Sequence, residues 1–324
     1  MTRPSHHGRM RWLMLIWLLA CFRLGTVFAQ PAAGANCSGG QTYMVDFGQL
    51  DSIQAATQRV EREFDASFKC NTFSLSLLTG SQLWITVRSV NGYRLRKADS
   101  SSVAYRIYLD GGRARELHDG QEIEISSTVN FFGSEALSRR KLYIQTQAGA
   151  PDLTVGRLTD TLSITYRWSV CTLGTVFCLS RYNGSATVTV NLALGIAAAC
   201  EFRTSQPRVD FGAYPLVSQI ADVQTDIAFV CTNSSAYNIH ISDGDNVQGA
   251  WRRMKGVSGV SSNSYIQYQL YAANSDLVIN SLNRRPGRGT GRPEVLSIVG
   301  RVNKTQADVP VGSYQDRPVI IIEY

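Results

Sequence analysis

The cysteines are the side chains of this sequence best suited to chemistry, because thiols can bind metals, act as nucleophiles or form disulfides. Six of them follow residue 29: Cys37, Cys70, Cys171, Cys178, Cys200 and Cys231. No two have Cys-x-x-Cys spacing, and only His118 and His240 follow residue 29, so a metal site has little support. An even number of cysteines in an exported chain is typical of a disulfide framework. We therefore expect disulfide bonds and no metal or other cofactor.

Patterns typical of a catalytic site are weak. Glu122 and Glu124 resemble a carboxylate pair, but strand alternation places both on one solvent-facing side. The segment Gly256-Val-Ser-Gly259 lacks the glycine spacing of a nucleophile elbow. The Arg- and Gly-rich segment 284–292 could bind phosphates or acidic sugars, yet it has no interleaved aromatic residues to stack on bases, which favours a solvated flexible loop. The sequence thus predicts a non-enzymatic protein that does not bind nucleic acid.

The first 29 residues have the layout of a secretory signal peptide. Arginines precede an apolar run at residues 12–22, and Val27-Phe28-Ala29 is an acceptable cleavage site. The run is too short to span a bilayer, which needs about 20 apolar residues. A lipoprotein box ending at Cys21 is the alternative, although the apolar residues after it favour the later cut. Cleavage removes four arginines, so the mature charge is 28 − 25 = +3, and the basic pI does not indicate nucleic-acid binding.

Two stretches of the chain repeat each other in order and spacing. The shared features are Cys37 and Cys200, Val45-Asp46-Phe47-Gly48 and Val209-Asp210-Phe211-Gly212, Cys70 and Cys231, and the tyrosine pairs Tyr105/Tyr108 and Tyr268/Tyr271. The interval from the first cysteine of each copy to the first member of its tyrosine pair is 68 residues in both copies (105 − 37 and 268 − 200). A unit of this size indicates a duplicated domain, since solenoid repeats run about 20 to 50 residues. The repeat favours the pairs Cys37–Cys70 and Cys200–Cys231, which leaves Cys171 with Cys178.

Between these motifs the pattern is β. Short runs rich in apolar, β-branched and aromatic residues alternate with clusters of Gly, Asn, Asp and Ser. In the first copy they lie at residues 73–78, 83–87, 103–108, 122–126, 142–145, 162–168 and 186–194. Residues 53–64 could form a short helix or a connecting loop. The pattern predicts an all-β chain of two immunoglobulin-like antiparallel β-sandwich domains joined by a linker at residues 195–199.

The two copies end differently. After Tyr166 the first passes through Cys171 and Cys178 into strand 186–194, whose alternate apolar residues indicate one buried face. The second ends at Tyr324, the counterpart of Tyr166, so we expect the C-terminal domain to lack its last strand. Such a sandwich leaves an apolar groove and an unpaired edge, which a strand donated by another chain would fill.

These motifs resemble the spore coat U domain family. The resemblance is carried by the Cys…Phe-Gly pattern, the Tyr-x-Ile/Leu-Tyr pair, Leu296–Arg301, Val309–Asp316 and the apolar run 319–324. It is specific over residues 200–324 and looser over 37–166, where Leu158 departs from a Gly-x-Tyr-x-Asp pattern. The family includes subunits of archaic chaperone-usher pili, and a two-domain member resembles their tip adhesin.

After the signal peptide at residues 1–29, the resemblance implies a complete surface-binding N-terminal domain at 30–195 and an incomplete pilin domain at 196–324. It implies a periplasmic chaperone, an outer-membrane usher and a strand-donating pilus subunit as partners, with attachment to abiotic or host surfaces and biofilm formation at the cell surface. Only the small, unpatterned residues 30–36 precede Cys37, so the chain is expected to accept a strand but hardly to donate one. A secreted structural coat protein is the alternative.

Candidate surface-binding residues follow from where the last strand of the first domain must end. Because strand 186–194 runs toward the second domain, the hairpin before it should lie at the opposite end. A small ring closed by Cys171 and Cys178 cannot bury its apolar side chains deeply, although Phe177 could pack back onto the sandwich. The candidates are Leu173, Val176 and Phe177 in this ring and, elsewhere, Phe131, Phe132 and Trp84. Trp84 is the weakest, because a tryptophan within a β run is more often part of the core.

Overall fold

The structure is a computed structural model that describes residues 36–38, 42–66, 69–71, 82–99, 101–126, 136–137, 141–150, 152–173 and 177–324. At residues 36–38, 69–71, 126, 136–137, 170 and 172–173 it describes the backbone alone. The predicted signal peptide, the strand predicted at 73–78, and Phe131 and Phe132 lie outside the described residues. Within the described part, no helix is long and apolar enough to cross a membrane, and no group of three or more His, Cys, Asp or Glu side chains could hold a metal ion.

The chain is nearly all β, as the sequence predicts. We call residues 36–197 the first repeat and residues 200–324 the second repeat. The first repeat contains β1 (Asn36–Ser38), β2 (Thr42–Asp51), α1 (Ser52–Thr57), β3 (Glu61–Asp65), β4 (Lys69–Asn71), β5 (Gln82–Ser89), β6 (Arg94–Arg96), β7 (Ser102–Tyr108), β8 (Glu116–Leu117), β9 (Glu122–Ser126), β10 (Ala136–Leu137), β11 (Lys141–Thr146), β12 (Gly156–Leu173) and β13 (Ser180–Ala197). The second contains β14 (Cys200–Phe202), a 3-10 turn (Val217–Gln219), β15 (Val223–Cys231), β16 (Ala236–Ile241), β17 (Arg252–Ser258), β18 (Tyr265–Ala272), β19 (Arg285–Arg288), β20 (Pro293–Val302), β21 (Ser313–Gln315) and β22 (Ile320–Glu323).

The first repeat is built around a hairpin of two long strands. β12 and β13 each have 18 residues and pair in antiparallel register. The pairing runs from Gly156 opposite Ile196 to Leu173 opposite Ser180. On its other side β13 pairs in parallel with β2. The sheet has the order β2-β13-β12-β6-β7-β11-β3, with β5 paired to β12 and β9, and with β1-β4-β10 forming a separate sheet. β13 therefore lies between β2 and β12 in this sheet and leaves neither edge of its own unpaired.

The second repeat has a related but smaller set of strands. Six strands form a sheet in the order β14-β15-β20-β18-β17-β21, and three form a sheet in the order β19-β16-β22. All residues from 200 to 324 are described, and within them β22 pairs with β16 only.

The apolar side chains form two separate cores. One consists of buried residues between 45 and 196, and the other of buried residues between 217 and 302. In the first, alternate residues of β13 point inward, and Val188, Val190 and Leu194 are fully buried. Each repeat thus has an apolar core of its own.

Two segments differ from the sequence-based expectation. β13 continues to Ala197, so the predicted linker at 195–199 is strand over its first three residues, because Gly195 and Ile196 pair with both β12 and β2 and Ala197 pairs with β2. The segment 53–64, for which the sequence allowed a short helix or a connecting loop, contains the short helix α1. It begins at the cap Asp51, whose Oδ1 accepts a hydrogen bond from the Gln54 amide at 2.7 Å. Phe64 lies on β3, where it is buried in the first core.

Candidate strand-acceptor groove and distal hairpin

The Val-Asp-Phe-Gly motif has the same local geometry in both repeats. Asp46 Oδ1 accepts a hydrogen bond from the Gly48 amide at 2.8 Å, and Asp210 Oδ1 accepts one from the Gly212 amide at 3.0 Å. The two glycines have φ angles of 87° and 76°, a left-handed conformation that favours glycine. Local sequence therefore forms the same turn twice.

The two motifs differ in what they pair with. In the first repeat Val45 lies opposite Leu192 of β13, and Val45 and Phe47 are only 5% and 2% exposed. In the second repeat residues 207–214 belong to no strand, and Val209 and Phe211 are only half-buried. The Val and Phe side chains of the motif are thus less buried in the second repeat, where no strand corresponding to β13 covers them.

The strands β12 and β22, which correspond to each other in the two repeats, show the same contrast in burial. In β12, Leu162, Ile164 and Tyr166 are fully buried, because β5 pairs with one edge and β13 with the other. β22 is the corresponding strand of the second repeat, and its inward residues Ile320 and Ile322 are half-buried. We call Val209, Phe211, Ile320 and Ile322 the acceptor groove, since their counterparts in the first repeat flank β13.

The wall of the acceptor groove formed by Val209 and Phe211 packs against β20. A Cβ atom added to Gly300 would lie 2.6 Å from Val209 Cγ1 and 2.9 Å from Phe211 Cζ, so both side chains lie directly on this glycine. Phe211 also packs edge-on against Tyr268, with ring centroids 6.1 Å apart. The wall is held in place by packing although its outer surface is uncovered.

A tyrosine–aspartate hydrogen bond, buried in the first repeat and part-buried in the second, fixes the strand on the opposite wall. Tyr105 donates to Asp160 Oδ2 at 2.5 Å, and Tyr268 donates to Asp316 Oδ2 at 2.7 Å. Each aspartate also accepts the backbone amide of the following residue, at 2.7 and 2.9 Å respectively. Burial and the neighbouring carboxylate raise the pKa of both tyrosines, so both hydroxyls remain donors at physiological pH. The bonds hold the start of β12 and the segment before β22 in corresponding places.

The structure contains two of the three predicted disulfide bonds, Cys171–Cys178 and Cys200–Cys231. The side chains of Cys37 and Cys70 lie outside the described part of the chain. Their backbones are directly opposite each other in the antiparallel pair of β1 and β4, as those of Cys200 and Cys231 are in β14 and β15. The two repeats therefore also share the backbone register around these cysteine pairs.

The hairpin of β12 and β13 points away from the second repeat. Just before β12, the Val155 amide donates to the Asn233 carbonyl at 3.1 Å, which places this end beside the second repeat. The Cys171–Cys178 bond closes the other end, roughly 50 Å further along at the usual rise of a strand. The tip of the hairpin is thus the end of β12 remote from the second repeat.

Two apolar side chains at this tip face solvent. Phe177 is 78% exposed and Leu179 is 77% exposed, so Phe177 does not pack back onto the sandwich. The side chains of Leu173 and Val176 lie outside the described residues. Sequence reasoning missed Leu179, which follows the ring closed by Cys178. An apolar residue between a cysteine and the serine that opens β13 was the available signal.

Trp84 belongs to the outer face of the first repeat and not to its core. Its neighbours Leu83 and Ile85 point inward and are buried, while Trp84 is half-buried on the opposite face. The guanidinium carbon of Arg167 lies 3.8 Å from the centroid of the indole ring. Glu122 accepts two hydrogen bonds from Arg167, at 2.8 and 2.7 Å, and this pairing lowers the pKa of the Glu122 carboxyl. The indole is therefore covered by the ion pair of Arg167 and Glu122. Glu122 thus serves as the partner of Arg167 and does not form a carboxylate pair with Glu124.

The Arg- and Gly-rich segment is not the flexible loop that its composition indicates. Residues 285–288 form β19, which pairs with β16. Gly287 lies against the ring of Tyr237 and Gly289 against the carbonyl of Thr232, so a side chain at either glycine would collide with its neighbour. Arg284 forms an ion pair with Glu323 of β22. The glycines permit close packing, which composition alone does not reveal.

Comparison with known proteins adds the following. The family model of the Spore Coat Protein U domain matches residues 23–165 and 186–320. A chain from the CsuC–CsuE chaperone–tip adhesion subunit pre-assembly complex of the archaic chaperone-usher Csu pili of Acinetobacter baumannii aligns with a TM-score of 0.57 and 18% identity, covering 89% of this chain and 100% of that chain. The CupB6 tip adhesin from Pseudomonas aeruginosa aligns with a TM-score of 0.37 and 15% identity, covering 89% of this chain and 95% of that chain. No curated protein sequence matches.

Proposed function

We propose that this chain, which belongs to the spore coat protein U domain family, is the tip adhesin subunit of an archaic chaperone-usher pilus. The observation that carries the proposal is the unequal burial of equivalent residues in the two repeats. Val45 and Phe47 are covered by β13, whereas Val209 and Phe211 are left half-buried, and β22 pairs with β16 on one edge only. The second repeat is suited to receive a strand, and the first already contains one.

The strand that fills the acceptor groove comes from the adjacent pilus subunit. It pairs with the free edge of β22 and covers residues 207–214, as β13 pairs with β12 and covers β2. Each apolar side chain that it buries contributes roughly 1.5 to 3 kcal/mol. An unpaired edge beside exposed apolar surface favours aggregation, which supports a requirement for a periplasmic chaperone before an outer-membrane usher exports the subunit. The tip adhesion subunit of the Acinetobacter baumannii Csu pili was captured in a pre-assembly complex with a chaperone.

The first repeat carries the adhesive surface at the tip of its hairpin. Phe177 and Leu179 are exposed there, and exposed apolar clusters on a secreted domain usually mark an interaction site. The surface bound is abiotic or belongs to a host cell, and attachment by many pili supports biofilm formation. The role is structural and adhesive and needs no catalytic group.

We further propose two domains, at residues 30–195 and 196–324, after removal of residues 1–29 as a signal peptide. The separate cores support this division. Export through the periplasm agrees with the disulfide bonds and places the protein at the cell surface, on the pilus tip.

Strand capture tests the proposal. The mature chain, residues 30–324, is produced alone, with the chaperone, and with a peptide that copies residues 186–197 of β13. Alone it should aggregate or be degraded, whereas the chaperone or the peptide should yield a soluble monomer. A matched control peptide with serine in place of Val188, Val190 and Leu192 should not rescue it, because these are the inward residues. A chain that folds cooperatively as a monomer without either partner would overturn the proposal.

Electron microscopy separates the pilus from the alternative of a secreted coat protein. Labelled antibody against residues 30–195 should mark the ends of fibres, and genes for a chaperone and an usher should lie nearby. Label spread through an extracellular layer without fibres would instead support the coat protein.

A further inference from the structure

A cleft on the second repeat lies apart from both the acceptor groove and the hairpin. It has a volume of about 300 Å³, at the lower end of the range for small-molecule sites, and is lined by Asp222, Trp251, Tyr271, Arg301, Asn303 and Lys304. Tyr271 lies between Leu270 and Ala272, which are buried in the second core, and therefore points to the opposite, outer face of the sheet. Strand acceptance does not use this face.

The polar side of the cleft is held in place before any ligand arrives. The guanidinium carbon of Arg301 lies 4.5 Å from the centroid of the Tyr271 ring. Arg301 also forms ion pairs with Asp276 at 2.7 Å and, through its Nε atom, with Asp222 at 3.3 Å. The Nε atom is buried, whereas the Arg301 side chain as a whole is 33% exposed. A guanidinium that is held in place and partly open to solvent is suited to receive a polar ligand.

The aromatic side of the cleft is anchored through the backbone. Trp251 and Gln248 exchange two backbone hydrogen bonds, of 2.9 and 3.1 Å. The next residue, Arg252, is fully buried and donates to the carbonyls of Ile241 at 2.8 Å and Ser242 at 2.9 Å. Trp251 itself is half-buried at the cleft. The backbone that carries the indole is therefore held in place at the edge of the cleft.

The charges around the cleft indicate what it binds. Arg301 and Lys304 are balanced by Asp222 and Asp276, and Asp222 approaches both cations, at 3.3 and 3.9 Å. A balanced network gives little net attraction to an anion. It does offer both donors and acceptors, which hydroxyl groups need, beside aromatic rings that can pack on the apolar face of a sugar.

We propose that this cleft binds a neutral pyranose unit of a cell-surface or extracellular glycan. The inference goes beyond the proposed function, since it gives the second repeat a ligand site that neither strand acceptance nor the hairpin requires. Hydroxyls bridge Asp222 and Arg301, and the sugar ring packs against Trp251.

Ligand-observed NMR tests this on the mature chain, kept monomeric by the β13 peptide. The probes are methyl β-glucopyranoside, methyl β-galactopyranoside and N-acetylglucosamine, and at least one should bind with a Kd in the millimolar range. Trp251→Ala should weaken that binding at least about tenfold, or about 1.4 kcal/mol. Tyr265→Leu is the matched control, because Arg253 stacks on Tyr265 at 4.2 Å outside the cleft. The control should leave the Kd unchanged, and both variants should still bind the β13 peptide.

Three results would overturn the assignment. The first is the absence of binding by all three sugars at tens of millimolar while the protein remains folded and peptide-bound. The second is an equal loss of binding in the Trp251 and Tyr265 variants. The third is salt-sensitive binding of glucuronate or sulfate without binding of neutral sugars, which would identify an anion site. Because the β13 peptide is monitored separately, failure of strand acceptance and failure of sugar binding are distinguishable.

Discussion

The two repeats share their turns, their tyrosine–aspartate bond and the backbone register of their cysteine pairs, yet only the first covers its own core. Four inward residues of β13, namely Val188, Val190, Leu192 and Leu194, are at most 1% exposed. At roughly 1.5 to 3 kcal/mol each, their burial is comparable to the whole stability of a typical domain. Repeats with the same local motifs can therefore differ in how far their apolar side chains are covered.

Giving the second repeat a strand of its own should have the largest effect. A copy of residues 180–197 joined to Tyr324 by a short turn should pair with β22 and cover the acceptor groove. The extended chain should be a soluble monomer, more stable by several kcal/mol, and should no longer bind the β13 peptide. Size-exclusion chromatography and urea unfolding measure this. A copy with serine at the inward positions is the control, and equal stability of the two would contradict the comparison.

Removing the disulfides should affect the two repeats unequally. Cys200 and Cys231 are 31 residues apart, so replacing both with serine should cost on the order of 3 to 4 kcal/mol in the chain-entropy model. Cys171 and Cys178 are only 7 apart, so the corresponding double variant should change stability less. Denaturant unfolding of the peptide-bound chain measures both, and peptide mapping should also find Cys37 bound to Cys70. A bridge between the repeats would refute the pairing.

The two aspartates should differ because their environments differ. Asp160 is 3% exposed and also accepts a hydrogen bond from Ser89 at 2.6 Å, whereas Asp316 is only half-buried. Asp160→Asn should therefore lower the free energy of unfolding by about 2 to 3 kcal/mol, and Asp316→Asn by about 1 kcal/mol. Urea titration of each variant, with the peptide bound, gives the values. Equal losses would show that the extra burial at Asp160 is without consequence.

Alkaline pH should weaken both repeats through their tyrosines. Folding raises the pKa of Tyr105 and Tyr268 above the usual value of about 10, and raises that of Tyr237 to about 12 because of burial and its bond to Glu294. The stability from each is complete below pH 10 and falls as the pH rises, because the unfolded chain releases its phenolic protons first. The slope is about 1.4 kcal/mol per pH unit for each tyrosine. Tyr105→Phe and Tyr268→Phe should flatten it, and an unchanged slope would contradict the assignment.

Changes at the hairpin tip should have the smallest effect on stability and act on attachment alone. Phe177→Ser and Leu179→Ser alter side chains that are already in water, so unfolding should change by less than about 0.5 kcal/mol. If the hairpin tip is the adhesive surface, as we propose, removing either apolar side chain should weaken binding by roughly 1.5 to 3 kcal/mol, which many tips multiply by avidity. Pilus numbers, from microscopy, and cell attachment are measured together. Undiminished attachment with normal pili would move attention to Phe131 and Phe132.

Much of the fold was predictable from local sequence. Strands over residues 103–108 and 122–126 follow from alternation, and the Cys200–Cys231 and Cys171–Cys178 bonds follow from the repeat. The candidate site was predictable in part, because the contrast between strand 186–194 and the end of the second repeat is visible in the residues. Leu179 was missed, since its exposure depends on the hairpin around it.

The local conformations depend on short stretches of sequence: left-handed turns at Gly48 and Gly212, the cap of α1 at Asp51, and the strand runs. These depend on the steric limits of a few neighbouring residues. Only the tertiary structure decided which side chains are covered, because burial depends on residues far apart in the chain. Arg167 covers Trp84, and the glycines of the Arg- and Gly-rich segment allow β19 to pack on Tyr237. The half-buried state of Val209 and Phe211 is of the same kind, since it reflects the strands that surround them and not their own motif.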